Sequence, residues 1–342
     1  MNIVRKISIF LNLVNDYSKM GKKITGKNKF FDILFSRIFL GVPFPEYFNL
    51  CFYNKPWRGR QNYLFYDWPL HVKYNPGITP DCEDDKIDLL QKTKPYMKRK
   101  IITNKGLTFE DLKTFSDGLE SFFYKPAFSY GGIGIQKFFL NGKQNLSAIY
   151  DEIVKLPVGL LEETVVQDKE MDKLCPNLLQ TVRFTVFKHK DGPRILFATL
   201  KTSIYKNSIV DNATSGGVFA NIDLDTGMLQ TNAYRFLSSY EDIENFGIHL
   251  FDENGLDSHP VTGTKFKGFQ LPRFNESKEF VLDIAKNVNF YNRRLLGIDI
   301  AITEKGPVLI EVNTDRPGIS HLWQTACKST PVKPLLNELL RE

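Results

Sequence analysis

GIDIAITEKGPVLIEVN occupies residues 297–313. Two apolar stretches, 297–302 and 308–312, flank the turn Glu304-Lys305-Gly306, so the segment predicts an antiparallel hairpin. Asp299 stands mid-strand between Ile298 and Ile300. Glu311 and Asn313 stand on the next strand with Val312 between them, and alternation points those two the same way. The tight turn brings Asp299 beside them. Three oxygen-bearing side chains then share a face otherwise lined by Ile, Val and Leu. Burying unpaired carboxylates is costly. A hard divalent cation, itself held by phosphate oxygens, supplies the partner: Mg²⁺ typically takes one or two carboxylates plus substrate phosphates. Any one of these acids alone is more often a surface residue. The set on adjoining strands is what points to a metal.

Upstream, FFYKPAFSYGGIGIQKF covers residues 122–138. It predicts a strand at 122–124, a glycine-rich turn and a partner strand at 135–140. Lys125 sits at a strand end, where an ammonium suits the α- and β-phosphates of a nucleotide as a point charge. Backbone N–H groups of Gly131, Gly132 and Gly134 approach phosphate with no Cβ in the way, and Ser129 belongs to the same turn. A glycine hairpin without function fits this stretch equally well. It lacks GxxxxGK[ST], and no strong helix pattern follows, so neither a P-loop nor a dinucleotide fingerprint fits.

Between these motifs, EETVVQDKE predicts a short strand at 164–167 whose backbone suits an adenine edge, with Glu170 or Asp172 accepting from ribose hydroxyls. TVRFTV puts Arg183 on a strand and ATLKTS puts Lys201 on the next, at 182–188 and 194–201. Each, taken singly, is usually a solvated cation. VDNATSGG adds Asp211, Asn212, Gly216 and Gly217. A hairpin is expected at 218–224 and 229–232, a short helix at 146–156, and a helix through Phe280, Ile284 and Val288. Thr108 followed by Asp111 reads as a helix cap. Residues 1–100 read as mostly helical. The whole is an α+β pattern.

The chain has 342 residues, 42% apolar and 25% charged, which is ordinary for a globular protein with a sizeable core. No apolar run reaches 18 residues, and the N-terminal stretch does not read as a secretion signal, so a cytoplasmic protein is expected. Cys51, Cys82, Cys175 and Cys327 are far apart with no CxxC pairing, so buried thiols are expected. The net charge of +6 is uneven: residues 1–75 hold 12 Lys/Arg against 4 Asp/Glu, and 17 of the 45 aromatics. Such a segment suits an anionic membrane surface at the inner face of the membrane, or a polyanionic glycan substrate. It suits better helices packed on a catalytic body with solvated lysines outside, since charge runs are usually solvated faces. No recognition motif accompanies the local charge, so nucleic-acid binding is not expected.

With these pieces in order, the chain resembles the ATP-grasp superfamily, and within it the sugar-transfer-associated branch found near polysaccharide-synthesis genes. FFYKPAFSYGGIGI, VVQDKE, LLQTVRFTV, VDNATSGGVFANIDLDTG and GIDIAITEKGPVLIEVN carry the match over residues 122–313, and GVPFPEYFNLCFYNKPWRGRQNYL resembles the N-terminal region of that branch. The resemblance implies an ATP-grasp fold: a helical, basic and aromatic region over 1–104, a small lid subdomain over 105–165, and a larger metal-bearing subdomain over 166–342, with ATP between the two α+β subdomains. It implies that Lys105, or Lys100, is the earlier phosphate lysine. Val166 and Gln167 become the adenine hinge. Asp299, Glu311 and Asn313 would hold two Mg²⁺, with Glu311 bridging. Arg183 would face the γ-phosphate or the acyl phosphate, and Lys201 joins it as a catalytic cation. Asn212 and the Gly216-Gly217 pair would shape the acceptor side.

The activity implied is carboxylate–amine ligation through an acyl phosphate. The branch suggests a uronic-acid sugar joined to an amino acid or small amine in surface-polysaccharide synthesis. Arg316 suits a bidentate clamp on a carboxylate, and His321 suits a structural hydrogen bond better than a base. Two rivals remain: an ATP-dependent phosphotransferase that stops at a phosphorylated product, and a non-catalytic nucleotide-binding partner of a glycosyltransferase. The identity of the carboxylate and amine, and the oligomeric state, have no signature in the sequence.

Overall fold

A computed structural model describes residues 2–77, 85–129, 131–140, 145–176, 178–205, 208, 211, 217–239, 242 and 253–341. The N-terminal region is helical: α1 (Ile3–Thr25), α2 (Phe30–Leu40), α3 (Phe44–Asn49), α4 (Trp68–Tyr74) and α5 (Lys86–Met97). Then follow β1 (Ile101–Thr103), α6 (Phe109–Ser116), β2 (Ser121–Pro126), β3 (Gln136–Phe139), α7 (Leu146–Ile153), β4 (Gly159–Glu163) and α8 (Lys169–Asp172). The remainder holds β5 (Thr181–His189), β6 (Gly192–Ser203), β7 (Gly217–Asn221), α9 (Phe274–Asn287), β8 (Leu295–Thr303), β9 (Gly306–Asn313) and α10 (Val332–Leu339).

Two antiparallel sheets organise the chain. The smaller has the order β1-β4-β2-β3 and the larger β7-β6-β5-β8-β9. The small sheet begins at Ile101, four residues before the boundary expected at 105. One face is apolar: Phe122, Tyr124, Phe138 and Leu161 pack on Leu112 and Phe115 of α6 and Ile149 and Ile153 of α7. Alternation along β2 and β4 gives the opposite face to Phe123, Lys125, Leu160 and Glu162. α6 starts on the expected signal, a reciprocal box in which Thr108 Oγ1 accepts from the Asp111 N–H (3.1 Å) and the Asp111 carboxylate accepts from the Thr108 N–H (3.0 Å).

The large sheet divides the same way. Val182, Phe184 and Val186 of β5, Leu200 of β6 and Ile298 and Ile300 of β8 form the core under α9. The other face collects Thr181, Arg183, Thr199, Lys201 and Asp299.

Two expected strands do not form. Residues 164–167 lie beyond β4, which ends at Glu163, and Val166 is 78% exposed. β-branched composition favoured a strand there, but strand membership is decided by a ladder partner, and after the Thr164 N–H reaches the Ser121 carbonyl (3.4 Å) the chain has none. Residues 229–232 form no strand: Leu229 makes an isolated bridge to Ile222, and its N–H and carbonyl pair instead with Phe269 and Gly268.

Buried amide side chains join the N-terminal region to the body. Asn49 accepts from the Leu237 N–H (2.8 Å) and donates to its carbonyl (2.9 Å). Gln324 does the same to Leu64, at 2.9 and 2.6 Å. Asn75 accepts from the N–H groups of Arg294 and Leu295 and donates to the carbonyls of Leu295 and Thr314. A primary amide presents one donor and one acceptor side by side, so it pairs with an otherwise unsatisfied peptide as a neighbouring strand would.

Candidate active site

In the β8–β9 hairpin Asp299 pairs directly with Glu311, and Gly297 with Asn313, so Asp299, Glu311 and Asn313 share one face. Asp299 is 1% exposed. Arg183 lies opposite it on β5 and clamps it bidentately, Nε to Oδ1 at 2.5 Å and Nη2 to Oδ2 at 2.8 Å. Lys201 Nζ donates to Oδ2 at 2.9 Å. Burial alone would raise the Asp299 pKa. Arg183 and Lys201 overcome burial and hold it at about 2. Burial likewise lowers the Lys201 pKa, but Asp211 and Asp299 raise it more, so this ammonium stays charged. Asp211 accepts from the Thr181 N–H (3.0 Å) and lies 3.9 Å from Lys201 Nζ.

The Arg183 fork also spends Nη1 on the Arg316 carbonyl, at 2.8 Å. Gly297 is required beside it: a Cβ there would meet Pro317 Cα at 2.9 Å and Arg183 Nη1 at 3.0 Å. Arg183 is thus a buried clamp on Asp299 in this structure. Arg316 itself is exposed, with Nε 3.3 Å from Asp315 Oδ2. His321 Nδ1 lies 3.9 Å from Asp67 Oδ2, while Asp67 caps the turn at Ile319 and Ser320 by accepting both N–H groups.

The small sheet mirrors this arrangement. Lys125 Nζ meets Glu162 Oε2 at 2.9 Å, and Arg99 holds the same oxygen at 2.7 Å. Burial would raise the Glu162 pKa, but Arg99 and Lys125 hold it at about 2. Arg99 also donates to the Leu309 carbonyl of β9 at 2.6 Å, tying the two sheets together. In the glycine turn Gly131, Gly132 and Gly134 have φ of 64°, 82° and 76°, and a Cβ at Gly134 would press on Pro126 Cγ at 2.9 Å.

Lys86 closes the gap between the sheets. Its Nζ donates to the Ser129 carbonyl at 2.5 Å and lies 3.8 Å from Glu311 Oε1. Its N–H donates to the Ala127 carbonyl at 3.1 Å. The lysine set between the glycine turn and the acidic hairpin is therefore Lys86. Lys105 stands exposed in the turn after β1, and Lys100 donates to the Asp117 carbonyl at 2.6 Å. The sequence carried one signal for Lys86. It occupies the first turn of α5, next to the capping Asp85, where the helix dipole disfavours a cation.

The link between the sheets is built around Gln167, whose amide donates to Asp172 Oδ1 (2.7 Å) and the Cys175 carbonyl (3.0 Å) and accepts from the Gln180 N–H (3.0 Å). Asp172 is thereby pinned, and Glu170 pairs with Lys173 on the surface. Asn212 and Gly216 lie outside the described residues, while Gly217 opens β7.

The donor set fits magnesium. Two carboxylates and an amide are hard oxygen ligands. Asn313 Nδ2 is buried with no hydrogen-bond partner, so that amide is not committed on its nitrogen side. Glu311 is 37% exposed at its side chain, with Lys86 as a distant partner. Asp299 has three of its roughly four acceptor positions filled, leaving it a supporting ligand. Among the described residues no group of three or more His, Cys, Asp or Glu is placed to hold a metal. The amide of Asn313 is what completes this set.

A family model described as sugar-transfer associated ATP-grasp matches residues 97–330. No curated protein matches the chain. Similar solved structures include the ATP-grasp ligase PsnB complexed with a phosphomimetic variant of minimal precursor, Mg and ADP. It is 15% identical over 75% of this chain and 57% of that one, with a TM-score of 0.38. D-alanyl-alanine synthetase A from Vibrio cholerae O1 biovar eltor is 15% identical over 75% and 63%, TM-score 0.41. N5-carboxyaminoimidazole synthetase from Staphylococcus aureus, complexed with ADP, is 12% identical over 73% and 51%, TM-score 0.41. The chain thus spans between 51% and 63% of the length of these three.

Proposed function

The chain belongs to the sugar-transfer associated ATP-grasp family, and from that premise we propose that it is an ATP-dependent carboxylate–amine ligase of the cytoplasm. The carboxylate is that of a sugar acid destined for a surface polysaccharide, and the amine is an amino acid or small amine. The observation that carries the reading is the paired register of Asp299 with Glu311 and Gly297 with Asn313, which faces three oxygen donors toward the glycine turn bridged by Lys86.

A substrate carboxylate oxygen attacks the γ-phosphorus of ATP, breaking its bond to the β–γ bridging oxygen and giving an acyl phosphate and ADP. The amine nitrogen then attacks the carbonyl carbon, phosphate leaves, and the nitrogen gives up its proton. The first step sets anion against anion. Glu311 and Asn313, with Asp299 behind them, would hold Mg²⁺, which would supply positive charge to the phosphates. Lys86 and Lys125 bind the phosphate oxygens from the small-sheet side. Arg183 and Lys201 orient Asp299, and Arg183 adds its charge near the transferring group. Removing one such positive donor costs on the order of 10²–10³-fold in rate. Ser129, Gly131, Gly132 and Gly134 close over the phosphates and exclude water from the acyl phosphate. Val166 and Gln167 offer backbone to adenine, with Glu170 and Asp172 toward the ribose. Arg316 receives the substrate carboxylate.

The test is phosphate release measured over uronic-acid sugars crossed with amino acids and small amines. Release that needs both a sugar acid and an amine, abolished in Glu311→Gln, supports the ligase. ADP formation with a stable phosphorylated product and no amine requirement replaces it with a phosphotransferase.

A further inference from the structure

The α1–α2 hairpin takes no part in the proposed chemistry, and it displays apolar surface in an unusual form. On α2 the inner residue Ile33 is buried, while Phe31, Phe35, Ile38 and Phe39 on the outer face are 68%, 44%, 57% and 70% exposed. Their spacing of four, three and one places them on a single stripe. The three rings form a ladder, with centroids 6.1 and 5.8 Å apart. On α1 every residue from Ile3 to Ile9 is exposed, and the helix is first buried at Val14. Ile3, Val4, Ile7 and Leu11, on one side, are 71%, 67%, 54% and 41% exposed, and Ile9 and Leu13, on another, are 44% and 42% exposed. About two turns of helix, roughly 10 Å at 1.5 Å per residue, therefore precede the first contact with the body, where Phe10 meets Phe44 at a centroid distance of 5.8 Å.

The basic residues of the hairpin accompany this surface. Arg5 and Lys6 lie on the projecting turns, and Lys22, Lys23 and Lys27 lie at the α1–α2 connection, all exposed. The hairpin's two acids are already spent: Asp16 pairs with Lys19, and Asp32 with the buried Arg60. Its outward charge is thus positive, beside unpartnered Phe and Ile.

We propose that this hairpin docks the enzyme on an anionic phospholipid bilayer, with the Phe31–Phe39 stripe and the projecting turns of α1 in the headgroup boundary and the lysines on lipid phosphates. Three observations select that occupant. The apolar surface is convex and, on α1, lies on two sides of the helix, which suits a fluid interface and gives a folded partner no groove. Phenylalanine and isoleucine with flanking Lys/Arg are the composition that binds acidic interfaces. A second copy is disfavoured because residues 1–40 hold eight Lys/Arg against two Asp, and an isologous contact sets that net positive charge against itself. The described residues contain no helix long and apolar enough to cross a membrane, so the hairpin lies on the surface. Docking through α1–α2 would hold the ATP cleft at a set orientation to the bilayer, because Arg60 and Asn49 fasten this region to the body.

Flotation of the full chain with phosphatidylcholine vesicles, with and without phosphatidylserine, tests this. The expected result is co-flotation with the serine-containing vesicles only, weakened by added salt. Lys22→Glu/Lys23→Glu/Lys27→Glu should lower vesicle partitioning by more than tenfold, since each basic residue contributes roughly fivefold at an acidic surface. Phe31→Ser/Phe35→Ser/Phe39→Ser, all exposed and so compatible with folding, should lower it comparably at an unchanged melting temperature. Equal binding to neutral vesicles overturns the proposal, as does absence from both. A dimer in solution that the phenylalanine variant converts to monomer assigns the face to a second copy instead. ATP-dependent phosphate release in vesicle-free solution is read in parallel, so a failed docking surface and a failed ligase reading give different results.

Discussion

Asp299→Asn separates two duties of the acidic face. The substitution keeps the shape of the side chain and removes its charge. Arg183 and Lys201, 6% and 7% exposed, then face a neutral amide, and the counter-charges left are Asp211, 3.9 Å from Lys201, and the more distant Glu311 and Asp315 near Arg183. Removing one partner of a buried pair costs about 3–5 kcal/mol, because the other charge is left uncompensated. The acid's own titration gives a second measure. Its pKa falls from 3.8 to about 2 against the effect of burial, which at about 1.4 kcal/mol per unit is on the order of 2–3 kcal/mol. That contribution is present in full above the unfolded value near 3.8 and fades as pH drops toward 2. With roughly 2.1 cal/mol/K of unfolding entropy per residue, 3–5 kcal/mol lowers the melting temperature by about 4–7 °C. Glu311→Gln is the control. That side chain is 37% exposed with one partner at 3.8 Å, so it should shift melting by about 1 °C or less. Calorimetry and phosphate release on both variants decide the matter: both lose turnover, and only Asp299→Asn loses stability. Melting of Asp299→Asn level with the wild type would refute the buried clamp.

Lys86→Met removes the ammonium between Ser129 and Glu311; losing a charged hydrogen bond is worth about 1.5–3 kcal/mol, so KM for ATP should rise roughly 10- to 100-fold in steady-state kinetics. Gly134→Ala forces a Cβ against Pro126 at φ +76° and should lower kcat with little change in melting, because the strain is confined to the turn. Glu46 is 7% exposed and burial raises its pKa from 4.5 to about 8. The folded chain therefore keeps a proton that the unfolded chain releases, and stability falls as pH rises through that window. Glu46→Gln should flatten the slope and stabilise the protein at pH 8 by on the order of 3–5 kcal/mol in denaturant titrations at several pH values.

The hairpin that brings Asp299, Glu311 and Asn313 to one face was legible because every part of its signal is local: a turn of three residues, a period of two, and acids at positions whose parity puts them together. The α6 cap was legible for the same reason. Residues 164–167 were misread because β-branched composition is local while a ladder partner is not. The attachments of Asn49 and Asn75 had no signature, since their partners lie 188 and 220 residues away. Arg99 and Lys86 fall between these cases. Neither belongs to a motif, yet a cation in the first turn of α5 runs against the helix dipole, and such a local cost marks a position whose residue is chosen for something else.

The cations of both sheets arrive already paired: Lys125 with Glu162, and Arg183 and Lys201 with Asp299. With both carboxylates held near pKa 2, the pairs persist at every physiological pH. A bare triphosphate therefore meets ammonium and guanidinium groups whose charge is largely offset. Glu311 adds a further anion on the same face, and it repels phosphate. Magnesium held by Glu311 and Asn313, as proposed, would reverse that sign, because the pair would then attract the nucleotide through the ion. ATP and Mg²⁺ should accordingly bind with strong positive coupling, and linkage requires the coupling to be reciprocal. A coupling of about 1–3 kcal/mol is 5- to 150-fold in affinity. Calorimetric titration of ATP with and without Mg²⁺, and of Mg²⁺ with and without a non-hydrolysable ATP analogue, should return the same factor, and Glu311→Gln should reduce both together. ATP affinity indifferent to magnesium would place the nucleotide away from this hairpin.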